Sequence, residues 1–282
     1  MTEVESAGDS KRPRLGVALG SGSARGLAHI GVLQSLDEHG LRPDVVCGTS
    51  IGAFVGAAYV TGHLTRLDEW ARQLSTLDVV GLFDVALGKG GVLTGRRAME
   101  VLGDARGAAV ESLVPRLALV ATDLGSGREV WITDGLLEDG VRASAALPGL
   151  VTPVERDGRW LVDGGLVNPV PVSVCRAMGA DVVLAVQLHA ERIPLELPQR
   201  RSEKAPSYFE VIGTSLHIMQ DRITRSRMAG DPPDVTVAPR LPGVRLLDFD
   251  EAGRTIDQGR ASMDDAIAAL HEVLGEGAAG PR

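Results

Sequence analysis

A serine stands between two glycines at residues 48–52, Gly-Thr-Ser-Ile-Gly, and the residues around it predict a nucleophile. The apolar run before this segment predicts a buried strand, and the apolar run after it predicts a helix. This spacing is typical of a sharp strand-to-helix turn, in which side chains at Gly48 and Gly52 would collide with the neighbouring strand and helix. We therefore predict that Ser50 has a strained backbone and an exposed hydroxyl at a helix N-terminus, where the helix dipole favours developing negative charge.

A second glycine-rich turn lies close upstream, at residues 20–26, and follows the apolar strand Leu15–Leu19. Apolar residues at helical spacing come next, namely Leu27, Ile30, Leu33 and Leu36. Two parallel strands joined by a crossover helix result, so both turns lie at one edge of the sheet. Backbone N–H groups of the first turn then face Ser50, where they can stabilise the oxyanion that acyl transfer to a serine requires.

The alternative for this first turn is a dinucleotide or phosphate-binding loop. Gly20, Gly22 and Gly26 are spaced as G-x-G-x-x-x-G instead of G-x-G-x-x-G, and no acidic residue follows the second strand. A G-x-x-x-x-G-K-[ST] motif is also missing from the sequence. These departures disfavour nucleotide binding.

Composition limits the classes of partner. The formal net charge of −8 and the 3% aromatic content argue against a nucleic-acid partner, which needs a basic stripe and aromatic stacking platforms. Cys47 and Cys175 lack the spacing of a disulfide framework or a zinc site. The first 14 residues are polar, and no apolar run reaches the length of a membrane span, so we expect a cytoplasmic protein whose membrane contact, if any, is peripheral. The oligomeric state is not indicated.

Strand and helix patterns alternate from residue 14 to residue 188 without a linker, which predicts an α/β protein. We expect a single domain over residues 14–275, with flexible tails at 1–13 and 276–282. The strand at Arg159 is preceded by a hairpin (117–122 and 129–132) and an alanine-rich helix (141–147). The patterns elsewhere predict helices at 64–74, around Cys175 and Met178, at 208–228 and at 256–274, and strands at 181–188 and 235–238.

The roles of three segments are also predicted, and two of these segments have two interpretations each. The apolar loop at 77–95 is expected to pack in the core or to line an acyl pocket. The charged, proline-bearing stretch at 190–206 is expected on the surface. The amphipathic helix at 208–228 is expected to dock on the sheet, with contact to a membrane surface as the alternative.

Asp163 is the second candidate for chemistry. It ends the predicted strand that begins at Arg159, and it precedes Gly164 and Gly165. An Asp-Gly pair is also the commonest short hairpin turn, so a purely structural role stays open. The two glycines would let the backbone pass close to another loop, such as the serine turn.

Taken together, these segments resemble the bacterial patatin-like phospholipase family, over roughly residues 14–190. The motifs that carry the resemblance are residues 19–33, 48–52, 121–124, 142–144 with Pro148, and 163–171. The resemblance implies a three-layer α/β fold with a mainly parallel central sheet flanked by helices. It also implies a serine acyl hydrolase of the lipase, phospholipase A or lysophospholipase type, which acts on a lipid or ester substrate without a metal or organic cofactor.

The resemblance also assigns roles to residues. It implies that Ser50 is the nucleophile, that Asp163 is the base, and that the amides of Gly20, Ser21 and Gly22 form the oxyanion hole. Ser21 and Ser23 stand where the family more often has glycine, which leaves the choice of donating amides open.

Three further expectations concern the same site. Arg25 matches the family's basic loop residue, and its role is either to pin the loop or to take part in catalysis. His29 is expected to be a buried core histidine. A carboxylate with an ordinary pKa is a weak base for a serine hydroxyl, so burial must raise the pKa of Asp163.

Two rival functions stay open. A Ser-His-Asp hydrolase would use His189, which follows the predicted strand at 181–188 and preserves the order Ser, Asp, His. A non-catalytic protein on the same fold would bind a partner or regulate one, although Ser50 and Asp163 are both present.

Overall fold

A mixed sheet forms the centre of the computed structural model, which describes residues 12–75, 96–188 and 208–275. Its strands are β1 (Leu15–Leu19), β2 (Val45–Thr49), β3 (Arg116–Asp123), β4 (Glu129–Ile132), β5 (Val154–Arg156), β6 (Arg159–Asp163), β7 (Val182–Val186) and β8 (Val235–Val237). Strands β3, β2, β1, β7 and β8 are parallel neighbours in that order, whereas β4, β5 and β6 pair antiparallel. The sheet is therefore parallel at its centre, as expected for an α/β protein.

Helices cover both faces of this sheet. They are α1 (Ala28–Glu38), α2 (Ile51–Val60), α3 (Leu64–Arg72), α4 (Arg96–Met99), α5 (Leu137–Ser144), α6 (Val172–Ala177), α7 (Tyr208–Gly230), α8 (Ala252–Asp264) and α9 (Ile267–Leu274). Alternate residues of β1 belong to two apolar clusters: Val17 packs with residues of α1, α2 and α8, and Ala18 packs with residues of α6. The sheet therefore lies between two helical layers, which confirms the predicted three-layer fold.

Helices α1 and α8 touch through their backbones. A Cβ atom at Gly31 of α1 would lie 2.0 Å from the carbonyl oxygen of Ile256, and one at Gly259 of α8 would lie 2.0 Å from that of Ala28. Glycine is required at both positions because any side chain would push the helices apart.

Most predicted elements are confirmed, including the β3–β4 hairpin, but two helices differ from the prediction. The segment 256–274 is divided between α8 and α9, because the N–H of Ala266 bonds the carbonyl of Met263, three residues back, and the chain tightens there. The helix predicted at 141–147 begins at Leu137 instead, where Glu138 and Asp139 in its first turn complement the helix dipole.

The register of β3 brings the ends of β2 and β6 together. At residues 121 and 122, β3 pairs with both β4 and β6, so these two strands lie on opposite edges of β3. At residues 119 and 120, β3 pairs with both β4 and β2, so β2 shares an edge with β6. Along that edge Thr49 lies opposite Val120, and Asp163 lies opposite Ala121. The residue that follows Thr49 therefore meets Asp163.

Several predictions fall outside the described residues: the apolar loop at 77–95, the surface stretch at 190–206, and the two tails except for residues 12 and 13. Among the helices that the structure describes, none has the length and apolar character needed to cross a membrane.

Candidate active site

Ser50 occupies the predicted turn between β2 and α2. Its backbone has φ 59° and ψ −122°, a conformation that L-residues rarely adopt, and the helix begins at the next residue, Ile51. A Cβ atom at Gly48 would lie 2.4 Å from the carbonyl oxygen of Gly52, and one at Gly52 would lie 2.2 Å from that of Leu19. The predicted need for glycine at both positions is confirmed, because backbone atoms block any side chain.

The Ser50 hydroxyl is bonded directly to Asp163. Ser50 Oγ donates to Asp163 Oδ2 at 2.5 Å. Ser50 is partly exposed, whereas Asp163 has only 1% of its surface accessible. The serine residue is therefore partly accessible, while the carboxylate behind it is shielded from water.

Three hydrogen bonds hold Asp163 in place. The Gly165 N–H donates to its Oδ1 at 2.7 Å, its own N–H donates to the carbonyl of Ala146 at 3.0 Å, and Thr122 Oγ1 donates to its carbonyl at 2.8 Å. Burial raises the pKa of Asp163 to about 6, and the hydrogen bonds from Ser50 and Gly165 partly offset this rise. The predicted increase in the basicity of this carboxylate is confirmed.

The two glycines after Asp163 let the backbone pass close to other elements, but these are not the serine turn that the sequence suggested. A Cβ atom at Gly164 would lie 2.2 Å from the carbonyl oxygen of Val120 in β3, and one at Gly165 would lie 2.4 Å from Nε2 of Gln220 in α7. The nearest obstacles to a side chain are therefore β3 and α7, not the serine turn. The reason is that β6 continues along the edge of β3, so the chain passes over that strand as it leaves the sheet.

Ser144, at the end of α5, supports the serine turn from behind. The Ser50 N–H donates to Ser144 Oγ at 2.9 Å, and Ser144 Oγ in turn donates to the carbonyl of Val120 at 2.6 Å. Ser144 is fully buried. It lies in a motif that carries the resemblance described above, but the sequence did not indicate its role.

The first glycine-rich turn presents fewer free amides than predicted. The Gly20 N–H donates to the carbonyl of Val186 at 3.2 Å, and the Ser21 N–H donates to that of Pro169 at 2.8 Å. Within the described ranges, the N–H groups of Gly22 and Ser23 have no hydrogen-bond acceptor. Gly20 and Ser21 therefore differ from the expectation, because neighbouring backbone carbonyls already occupy their donors.

The same turn packs on the start of α2. A Cβ atom at Gly26 would lie 2.0 Å from Cγ2 of Ile51, the residue after the serine. Ser23 has φ 50°, in the left-handed region that favours glycine, which agrees with its replacing a glycine that is more usual in the family. The turn with the two unpaired amides thus lies beside Ser50.

Comparison with known proteins identifies the family of this chain. The patatin-like phospholipase family matches residues 17–176, more than half of the chain. This chain belongs to that family. An uncharacterised NTE family protein of Mycobacterium tuberculosis is 32% identical over 93% of this chain and 93% of its own length.

Two longer relatives each match less than two thirds of the chain. The human patatin-like phospholipase domain-containing protein 6 is 34% identical over 63% of this chain, which is 13% of that protein. The lysophospholipase NTE1 of Saccharomyces cerevisiae is 32% identical over 64% of this chain, which is 11% of that protein. Family membership makes this chain a lipid ester hydrolase. The family segment contains Ser50, Asp163 and the glycine-rich turn, whereas α7 and all later elements lie outside it.

Two other residues named from the sequence lie in this turn and just after it. Arg25 Nε donates to the carbonyl of Val244 at 2.8 Å, which ties the turn to the segment after β8. His29 is fully buried, and its Nε2 lies 2.7 Å from the carbonyl oxygen of Gly20. Burial lowers the pKa of His29 to about 4, so it is neutral at pH 7 and its Nε2–H donates to Gly20. The prediction of a core histidine is confirmed.

The alternative base, His189, lies outside the described residues. The 2.5 Å contact between Ser50 and Asp163 leaves no space for an imidazole between them. In a Ser-His-Asp triad the histidine occupies that intermediate position.

Proposed function

We propose that this chain hydrolyses carboxylic esters of lipids through an acyl-enzyme on Ser50, with Asp163 as the base. The observation that carries the proposal is the 2.5 Å hydrogen bond from Ser50 Oγ to Asp163 Oδ2. A nucleophile and its base must be within hydrogen-bond reach, and the base must accept a proton near the working pH. The short hydrogen bond supports the first requirement, and the burial that raises the pKa of Asp163 to about 6 supports the second.

The reaction has two halves. Ser50 Oγ attacks the ester carbonyl carbon as its proton passes to Asp163 Oδ2, and the carbonyl oxygen becomes an oxyanion. Collapse of this intermediate breaks the bond to the alcohol, which leaves with the proton held by Asp163. Water then attacks the acyl-enzyme while Asp163 accepts a proton, and Ser50 recovers that proton when the fatty acid is released.

The N–H groups of Gly22 and Ser23 are the donors that we assign to the oxyanion. Both lack an acceptor within the described ranges, and they lie in the turn that packs on Ile51, next to Ser50. Unpaired backbone donors aimed at developing charge are the usual means of stabilising such an intermediate. Arg25 holds this turn in place through Val244, a structural role.

The experiment that tests the proposal compares Ser50→Ala, Asp163→Asn and His189→Ala in purified protein. The substrates form a panel of phospholipids, lysophospholipids and simpler esters of varied acyl length, with enzyme-free reactions as the blank. We expect Ser50→Ala and Asp163→Asn to lose turnover by at least about 100-fold, and His189→Ala to keep it. Wild-type hydrolysis by Asp163→Asn would refute the proposal, and loss of turnover in His189→Ala would favour the triad.

A fluorophosphonate probe separates catalysis from a binding role. Such probes react with an activated serine, so we expect labelling of Ser50 in the folded wild-type protein and none in Ser50→Ala. A folded wild-type protein that the probe does not label would favour the non-catalytic alternative.

We also propose that the chain contacts lipid surfaces peripherally, through three exposed apolar side chains on β4, on β6 and just after β3. Leu124, Trp131 and Trp160 are 57%, 45% and 56% exposed. They share one face of the sheet. Val120 and Leu124 lie on the same face because alternate residues of a strand do. Trp131 lies opposite Val120, and Trp160 lies opposite Leu124, whose N–H donates to the Trp160 carbonyl. Tryptophan is favoured at the boundary between apolar and aqueous phases.

A paired substitution, Leu124→Ser with Trp160→Ser, tests this contact. We expect weaker sedimentation with phosphatidylcholine vesicles and slower hydrolysis of vesicle lipid, with hydrolysis of a soluble short-chain ester unchanged. Val273→Ser is the matched control, because Val273 is an exposed apolar residue on α9. Equal sedimentation of the paired variant, the control and the wild type would contradict the proposal.

We propose, finally, that residues 14–275 act as one domain. The support is the close contact between α1 and α8, which joins the part of the chain after the family segment to its beginning. Limited proteolysis that released a stable fragment ending near residue 190 would contradict this.

A further inference from the structure

Gln220 lies outside the family segment, yet its side chain reaches the candidate site. It belongs to α7, and only 7% of it is exposed. It shares the buried face of this helix with Leu216 and Thr224, which are 7% and 2% exposed. Polar side chains are rarely buried without a partner, so a buried glutamine on this face calls for an explanation.

One end of the Gln220 carboxamide is bonded to the glycine-rich turn. Ser21 Oγ donates to Gln220 Oε1 at 3.1 Å, and Ser21 is 2% exposed. Ser21 stands where glycine is more usual in the family, so its hydroxyl is an additional buried polar group that needs an acceptor. Gln220 supplies that acceptor from a point 199 residues away in the chain.

The other end of the carboxamide lies against the Asp163 loop. A Cβ atom at Gly165 would lie 2.4 Å from Gln220 Nε2 and 3.1 Å from its Cδ, so the amide group packs on the Gly165 backbone. The N–H of Gly165 is the donor to Asp163 Oδ1, at 2.7 Å. A single side chain thus contacts the turn before Gly22 and the loop that orients the carboxylate.

We propose that Gln220 is a positioning residue that holds the oxyanion turn and the Asp163 loop in register with each other. The Ser21 N–H is bonded to Pro169, and its hydroxyl is bonded to Gln220, so two bonds set the direction of the peptide groups that follow it. Those peptide groups carry the free amides of Gly22 and Ser23. The inference rests on the function proposed above, and it adds a residue that the family segment does not contain.

The test is a double-mutant cycle between Ser21→Ala and Gln220→Met. Methionine has nearly the length and volume of glutamine but accepts no strong hydrogen bond, so it removes the bond while it keeps the packing. A net hydrogen bond is worth about 0.5–1.5 kcal/mol, so we expect each single variant to lower kcat by roughly 2- to 13-fold with little change in KM. The double variant should be no slower than the slower single variant, because both changes remove the same bond.

Thr224→Val is the matched control. Thr224 lies one turn further along the same buried face, and its hydroxyl has no partner within the described residues, so its loss should leave kcat unchanged. A second measurement is the pH profile of kcat/KM. Gly165 donates to the ionised carboxylate, so a loop loosened by Gln220→Ala should move the pKa of Asp163 upward from about 6. A residue that only stabilised the fold would leave that profile in place.

The outcomes distinguish this inference from the proposed function. If Ser50→Ala is inactive but Gln220→Met and Ser21→Ala both have wild-type kcat, the inference on Gln220 is overturned and the proposed function stands. The inference would also be overturned if the loss of kcat in the double variant equalled the product of the losses in the two single variants. If Ser50→Ala keeps its turnover, the proposed function itself fails. Should Gln220→Met not fold, Ser21→Ala removes the same bond from the other side, and an unchanged kcat in that variant is decisive.

Discussion

Replacing Asp163 with asparagine should abolish turnover and stabilise the folded protein at the same time. Asparagine resembles the protonated carboxyl group in shape and charge, so it removes the ionised form that burial disfavours. Burial raises the pKa of Asp163 from 3.8 to about 6, and a change of one in a pKa corresponds to about 1.4 kcal/mol. The ionised carboxylate therefore costs the folded wild-type protein about 3 kcal/mol.

The sign of the pH dependence follows from linkage. The folded state binds the proton of Asp163 more tightly than the unfolded state, so this group's contribution to stability is fully present below pH 3.8 and is lost as the pH rises through about 6. At pH 8 we expect Asp163→Asn to exceed the wild type in free energy of unfolding by up to about 3 kcal/mol. This difference should shrink steadily toward pH 4.

Urea unfolding at pH 4, 6 and 8, with hydrolysis measured on the same preparations, tests the prediction. Comparison of the variant with the wild type isolates Asp163, since His29 and His217, whose pKa values burial also shifts, titrate in both proteins. A stability difference that did not change with pH, or a variant less stable than the wild type at pH 8, would refute the reasoning.

Asp123→Asn is a control of opposite sign. Asp123 is partly exposed, and hydrogen bonds from the Ser126 hydroxyl and the Gly125 N–H lower its pKa. Its contribution to stability is present above pH 3.8 and is lost as the pH falls through its lowered pKa. The asparagine variant should therefore be slightly less stable than the wild type at pH 8, with unchanged turnover.

Three further predictions concern the supports of the site. Gly52→Ala should misplace the serine turn and abolish turnover, because its Cβ would lie 2.2 Å from the Leu19 carbonyl oxygen. The control is Gly56→Ala on the same helix, whose Cβ would meet only side chains, at 3.1 Å or more, and which should keep its turnover. Equal turnover in the two variants would contradict this prediction. Ser144→Ala removes the bonds to the Ser50 N–H and to the Val120 carbonyl, so it should lower the free energy of unfolding in urea by about 1–3 kcal/mol. A loss under about 0.5 kcal/mol would contradict this prediction. His29→Leu should destabilise the protein at pH 7 by about 1–3 kcal/mol, since the Gly20 carbonyl loses its donor. Its stability should also fall less steeply than that of the wild type between pH 6.5 and 4, because the buried neutral histidine contributes stability that is lost over that range; parallel pH curves would refute this assignment.

The sequence alone predicted the features that depend on neighbouring residues. The spacing of apolar residues and the placement of glycines within a few positions predicted three features. These are the strained turn at Ser50, the need for glycine at positions 48 and 52, and the β3–β4 hairpin. Such local patterns also predicted the α/β class, because strands and helices alternate along the chain. The apparently continuous helix at 256–274 shows the limit of this reasoning, since no proline or glycine marks the tightened turn at Ala266.

Tertiary structure decided which of these groups meet and which are free. The contact between Ser50 and Asp163 depends on β2 and β6 sharing one edge of β3, and strand register is set by pairing across the sheet. The amides of Gly20 and Ser21 are engaged by carbonyls of Val186 and Pro169, more than 140 residues further along the chain, so no local pattern could reveal them as occupied. Gln220 reaches the site in the same way. A residue's own conformational preference is local, but the partner of a buried polar group is whatever the fold places beside it.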